Sequence, residues 1–240
     1  MNALILPAAL LAIIARQPAA DDDQAEPPPN RSVAVGVSPD WKPLGRGLWF
    51  DAKSKPKRVI VEARVVLRDG ALEHLLCLKG TKEHEAIVAT PADPQQIHAG
   101  LLLTGAEPGH PVRFQPKFEP PAGTPIDVKV RWKIDGETHE VDARQWIEDL
   151  ETKKTLDVDW VFAGSTLYDD PVSKKTIYAA LEGDLITVAN FASAILDLPI
   201  ASSASDANRI YIARTHVLPP LGTEVQLILS PKPPKPKKSP

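Results

Sequence analysis

Residues 58–79 read RVIVEARVVLRDGALEHLLCLK, and the reading of this stretch sets the fold. Val59, Val61, Ala63, Val65 and Leu67 fall on one side, with Arg58, Glu62, Arg64 and Arg68 on the other. A period of two with one apolar side marks a half-buried strand. Asp69-Gly70 follows, a pair that accepts the positive φ angles of a tight hairpin turn. The returning run, residues 71–79, puts Leu72, His74, Leu76 and Leu78 on one face and Glu73, Leu75, Cys77 and Lys79 on the other. The spacing predicts a β-hairpin with one buried face.

Downstream, Gly80 and Thr81 turn the chain into Lys82-Glu83-His84-Glu85, and residues 86–89 form a short apolar strand. Asp93-Pro94-Gln95-Gln96 is a helix start: Asp as N-cap, Pro in the first turn, Gln in place to close a capping box. That helix should run to about Thr104 and end at Gly105. His98 edges its buried stripe, with Leu101 and Leu102 three and four residues on. Residues 126–134 alternate cleanly, and Asp135-Gly136 turns them back through residues 137–141 as a second hairpin.

Residues 142–149 predict a helical turn that buries Trp146 and Ile147. Further strands are expected at 160–163, 176–180, 209–214 and 225–229, with 185–189 pairing with 176–180 across Glu182-Gly183-Asp184. Residues 191–198 read as a short helix or turn holding Ile195 and Leu196 inward. Trp132, Trp146 and Trp160 are core anchors whose indole N–H groups should find partners. The expected fold is α+β: a mainly antiparallel sheet built from hairpins, with one principal helix packed on it.

The chain has 240 residues, enough for one large or two small domains. The apolar run from Ala3 to Ala15 is too short to span a membrane and fits the core of a secretory signal. Residues 1–20 are therefore expected to be a signal peptide, with the mature chain starting between Gln17 and Asp22. Residues 21–31, acidic and then Pro27-Pro28-Pro29, form a linker. The folded body covers 32–230, with a break near 150–170 if it divides into two subdomains. Residues 231–240 are a basic Pro/Lys-rich tail whose lysines can touch anionic surfaces only weakly. The expected location is secreted or periplasmic, with no transmembrane segment in the mature chain.

Lys and Arg number 28 against 31 Asp and Glu, a net charge of −3, so no positive field draws the chain to nucleic acid. The single cysteine, Cys77, excludes an intramolecular disulfide and any all-cysteine metal site within one chain. No cofactor is expected, and an iron–sulfur cluster least of all. Neither G-x-S-x-G, G-x-G-x-x-G nor a Walker loop is present, so no nucleophile elbow or nucleotide site is supported.

One constellation offers chemistry: Lys82, Glu83, His84, Glu85 and His98 as binding residues, with His84, Glu85 and His98 as the catalytic candidates. Imidazole titrates near neutrality and a neighbouring carboxylate can orient or charge it. No H-E-x-x-H spacing occurs, so no metal site is expected. The bland alternative is a hydrogen-bonded turn and a satisfied helix histidine. Two function classes follow: a non-catalytic exported binding or structural module, or an enzyme or metal-binding protein using Lys82, His84, Glu85 and His98.

The pattern G-T-K-E-H-E-A-I from Gly80, then D-P-x-x-I-H-A-G-L-L-L-T-G-A-x-P-G from Asp93, resembles YdjY-domain proteins of the planctomycete type. R-x-W-I at Arg144, W-V-F-A-G-S at Trp160 and the N-F-x-x-A-I-L-D-L-P run from Asn190 extend the likeness from about Leu44 to Pro231. It implies an exported domain without an established activity. The ferredoxin-like label of some relatives needs cysteines that this chain lacks.

Overall fold

The computed structural model describes residues 35–202 and 210–233. The expected signal peptide, the linker and most of the basic tail lie outside the described residues. Eleven strands form the main sheet. In chain order they begin with β1 (Lys42–Gly45), β2 (Leu48–Asp51), β3 (Arg58–Val65), β4 (His74–Leu78) and β5 (Ala86–Thr90). After helix α1 (Pro94–Thr104) come β6 (Pro125–Ile134), β7 (Glu137–Asp142), β8 (Trp160–Phe162), β9 (Asp184–Thr187), β10 (Leu196–Asp197) and β11 (Glu224–Pro231).

Strand β3 forms as its alternation predicts, with Val59, Val61, Ala63 and Val65 buried. One of its edges pairs with β11, from Glu224↔Arg64 to Leu229↔Val59. The other edge is shared. Strand β2 takes its first half, Leu48↔Val61 to Asp51↔Arg58, and β5 takes its end through Arg64↔Ala89 and Val65↔Val88. That last pairing closes the sheet. The ring runs β3–β11–β6–β8–β10–β9–β4–β5 and back to β3, an eight-stranded barrel filled by one apolar core.

The expected α+β fold is therefore corrected to a mainly β fold, a closed barrel with one α-helix among the described residues. Closure joins β3 to β5, and period-two alternation looks the same in an open sheet and in a barrel. The hairpin at Asp69-Gly70 does not form. Residues Ala71–Leu72 pair instead with Tyr211–Ala213, and β5 stands between β3 and β4, parallel to β4. Nor do Thr176–Tyr178 and β9 pair. The former joins Leu167–Asp169, while β9 lies between β4 and β10.

Other local signals read true. Asp135 (φ 50°) and Gly136 (φ 87°) turn β6 back into β7. Asp142 caps the 3₁₀ turn Ala143–Trp146, and Trp146 and Ile147 are buried. The Trp160 indole donates to the Thr187 carbonyl at 2.7 Å, whereas that of Trp146 has no partner among the described residues. In α1 the Asp93 carboxylate accepts from the N–H groups of Gln95 and Gln96, and Gly105 ends the helix at φ 90°.

The helix packs on β1, β2, β3 and β11 and buries Ile97 and Leu101 in the barrel core. Gly100 allows the close approach: a Cβ there would stand 3.0 Å from Val59 Cγ2 and 3.1 Å from Leu44 Cδ1. Since α1 follows the C-terminal end of β5 and Glu85 precedes its N-terminal end, the two lie at opposite ends of that strand. Strand β8 is a stave of the barrel, paired with β6 before it in the chain and β10 after it.

Candidate functional site

The polar centre of the barrel wall is built by a bend at Glu73, immediately before β4. The N–H groups of Glu73 and His74 both donate to the Glu85 carbonyl, at 3.0 and 3.1 Å. Two consecutive donors on one acceptor is a bulge-type arrangement, and it frees neighbouring side chains from strict alternation. Because β4 and β5 run parallel, with His74 opposite Ala86, the carboxyl of Glu85 lies beside Glu73 and His74. On the other side of β4, strand β9 brings in Asp184.

His74 is fully buried. Its Nε2 is 2.7 Å from Asp184 Oδ1, and its ring stacks on Phe191 with centroids 5.2 Å apart. Asp184 also accepts from the Ser193 hydroxyl and forms an ion pair with Lys82 Nζ at 3.1 Å. Burial pushes the Asp184 carboxyl up, but hydrogen bonds from His74, Ser193 and Lys82 outweigh it and hold it at about 2. Burial also works against the Lys82 ammonium, and the Asp184 carboxylate more than compensates, raising its pKa. Lys82 further lies 5.1 Å above the Phe191 ring.

The other ring nitrogen of His74 faces the second half of the cluster. Nδ1 has no hydrogen-bond partner among the described residues and lies 4.0 Å from Glu85 Oε1. One ligand-capable atom each of Glu73, His74 and Glu85 falls within 4.8 Å of the others, the one such group among the described residues. Glu73 is half-buried, and burial followed by the negative charge of Glu85 raises its pKa. This set can take a proton or a metal cation between its carboxylates, with the Lys82 ammonium paired to Asp184 beside it.

Of the residues singled out in the sequence, Lys82 and Glu85 belong to this centre. His84 is 76% exposed, with its Nε2 3.7 Å from Glu85 Oε2. Glu83 turns back to accept the Gly80 N–H. His98 is elsewhere: its Nδ1 meets the Tyr178 hydroxyl at 2.8 Å, and its ring packs edge-on against Phe162. It borders a shallow depression of about 700 Å³ with Gln95, Gly164, Ser165, Thr166, Leu167 and Tyr178. Burial lowers its pKa. The structure thus brings together Lys82 and Glu85, and leaves His98 with partners outside the Lys82–Glu85 turn.

Glu73, His74, Asp184 and Ser193 escaped the sequence reading. His74 sat on an apolar face as a lone histidine, and Glu73 was assigned to the opposite face of an unbroken strand. The available signal was a histidine and an aspartate at the starts of two largely apolar strands, His74–Leu78 and Asp184–Thr187.

A family model for the YdjY domain matches residues 49–230, from β2 into β11 and across the whole barrel. The chain belongs to the YdjY domain family. No curated protein and no solved structure gives a match. Within this YdjY domain the match includes every residue of the His74 centre, so the centre is part of the domain itself. Among the described residues no helix is long and apolar enough to cross a membrane.

Proposed function

We propose that this YdjY domain is a non-catalytic binding module working outside the cytoplasm, with its binding centre where Glu73, Lys82 and Glu85 lie over the His74–Asp184 pair. The Lys82–Asp184 ion pair supports this reading. It joins a carboxylate that is 2% exposed to a lysine that is 25% exposed. Buried ion pairs seldom outperform apolar packing of the same volume, so they are weak devices for stability. They do fix charges at a defined place, which suits a binding centre.

Nucleophilic catalysis finds no support in the local order of groups. Ser193 donates to Asp184, so the carboxylate stands between hydroxyl and imidazole, where a nucleophile would need the imidazole beside it. Burial pushes the Cys77 thiol up to about 12, far from a thiolate at neutral pH. Export rests on the apolar run from Ala3 to Ala15 and the acidic linker after it.

The test is a thermal-shift panel of divalent cations, small carboxylates, phosphate and sugars on the wild-type chain, on Lys82→Met and on Glu85→Gln, each referred to its own ligand-free Tm. A ligand that stabilises the wild type and is weakened by either substitution supports the reading, an anion through Lys82 and a cation through Glu85. A panel without any shift overturns it. For export, intact mass of protein from its native host should place the first residue between Gln17 and Asp22, and a chain starting at Met1 or Asn2 overturns that part.

A further inference from the structure

We propose that the ligand of this centre is a divalent transition-metal ion, of the Zn²⁺ class, bound by Glu73, His74 Nδ1 and Glu85. The inference rests on the reading of the His74 centre as a binding centre and names what that centre takes.

The geometry carries it in three steps. First, the His74 side chain is 0% exposed and its Nδ1 has no hydrogen-bond partner among the described residues, yet it points at the Glu85 carboxylate across 4.0 Å. A buried imidazole nitrogen without a partner is destabilising, and a bound ligand would relieve that. A direct N–H···O bond would need about 3 Å, so the 4.0 Å gap is too wide for one. Two ligands about 2 Å from one tetrahedral ion stand roughly 3.3 Å apart, so a shift of the Glu85 carboxylate by under about 1 Å would let both atoms bind a common ion.

Second, Asp184 orients the ring. Its Oδ1 lies 2.7 Å from Nε2 and the carboxylate is itself held by the Ser193 hydroxyl and Lys82, so Nδ1 is the nitrogen left to a ligand. A carboxylate on the far nitrogen is the usual support of a metal-bound histidine, since it orients the ring and strengthens the ligand. Third, the charges match. Three carboxyl groups, Glu73, Glu85 and Asp184, gather around one imidazole with the single ammonium of Lys82, which pairs with Asp184. A surplus of carboxyl groups over ammonium suits a divalent cation.

The donor set selects the ion. One nitrogen and two carboxylates suit zinc and its first-row neighbours and leave a coordination position open. Calcium prefers six to eight oxygen ligands and magnesium near-octahedral oxygen, so neither fits three donors that include a buried imidazole.

The experiment uses the full chain stripped with a chelator, titrated with Zn²⁺ at neutral pH by calorimetry and followed by metal analysis. One Zn²⁺ per chain is expected, with Ca²⁺ and Mg²⁺ failing to compete. Glu73→Gln and Glu85→Gln keep shape and remove like charge, so both should fold with a ligand-free Tm at or above that of the wild type. Each should weaken Zn²⁺ by about tenfold or more. Co²⁺ in place of Zn²⁺ should give visible d–d bands that both variants lose. Zinc binding untouched by both substitutions, or abolished by His84→Ala alone, puts the ion on the surface and overturns the proposal. A chain that takes no zinc but responds to another ligand through Lys82 overturns the metal and keeps the binding module. A chain that responds to nothing overturns both.

Discussion

His74 Nε2 and Asp184 Oδ1 lie 2.7 Å apart with both side chains buried in the barrel wall. The contact joins β4 to β9, two neighbouring staves whose residues are separated by 110 positions in the chain. It also sets the outlook of the imidazole, because tying Nε2 to an ionised carboxylate directs Nδ1 toward Glu73 and Glu85.

Removing the Asp184 charge should therefore be felt in stability. Asp184→Asn leaves the Lys82 ammonium without its carboxylate and the His74 ring with a weaker acceptor. The expected loss is about 3 kcal/mol, the usual cost of breaking one side of a buried pair. Denaturant unfolding at neutral pH measures it. Lys82→Met should cost less, since that side chain is partly in water and its removal leaves Asp184 with the His74 and Ser193 hydrogen bonds. A loss below about 0.5 kcal/mol for Asp184→Asn would show that the pair contributes nothing structural.

Local chemistry was the legible part of this chain. Asp93, Pro94 and Gly105 bounded α1 correctly because capping uses groups within a few residues of each other. Asp135-Gly136 made its hairpin for the same reason. Asp69-Gly70 carries the same signal and does not, since β5 competes for the edge of β3 and pairs there in place of β4. Such competition is a property of the whole sheet. The site was half legible: Lys82 and Glu85 stood in a charged turn, whereas Glu73 joins them through a bend that breaks alternation and Asp184 through a pairing across the chain.

Asp51 should give the fold a measurable acid dependence. Its carboxyl is 4% exposed and accepts from the Ser54 hydroxyl at 2.6 Å, Arg58 Nε at 2.9 Å and the N–H groups of Lys53 and Ser54. Burial raises its pKa, but these bonds prevail and bring it to about 2. A depressed carboxylate stabilises the folded state above the unfolded value near 4, and the contribution disappears as pH falls through about 2. Asp51→Asn should cost about 2 kcal/mol at neutral pH and flatten stability against pH between about 4 and 2. Urea unfolding across that window tests it; an unchanged slope in the variant overturns the assignment.

The N-cap of α1 offers a cleaner energetic test. Asp93 accepts from Gln95 N at 2.8 Å and Gln96 N at 3.2 Å while remaining exposed, so no core contact confuses the result. Asp93→Ala should lower stability by about 1 kcal/mol, and Asp93→Asn by much less because the amide oxygen still accepts. Thermal unfolding distinguishes the two. Equal losses in both variants would assign the effect to the charge instead of the cap.

Asp197 should act in the opposite sense to Asp51. It is fully buried on β10, where one oxygen accepts from Leu198 N at 2.7 Å, Thr187 Oγ1 at 3.0 Å and Asn190 Nδ2 at 3.1 Å. The other oxygen has no partner among the described residues. Burial drives the pKa up against those three donors, to about 7. A protonated carboxyl meets this geometry, with Oδ1 as acceptor and the proton on Oδ2. The folded state then holds that proton more tightly than the unfolded chain. Its contribution to stability is complete below about pH 4 and is lost as pH rises to about 7. Asp197→Asn keeps an acceptor and a neutral group in the same places. Relative to its own stability at pH 4, the variant at pH 8 should retain roughly 4 kcal/mol more than the wild type retains. Parallel unfolding curves for the two proteins from pH 4 to 8 would show that Asp197 is ionised throughout and refute the assignment.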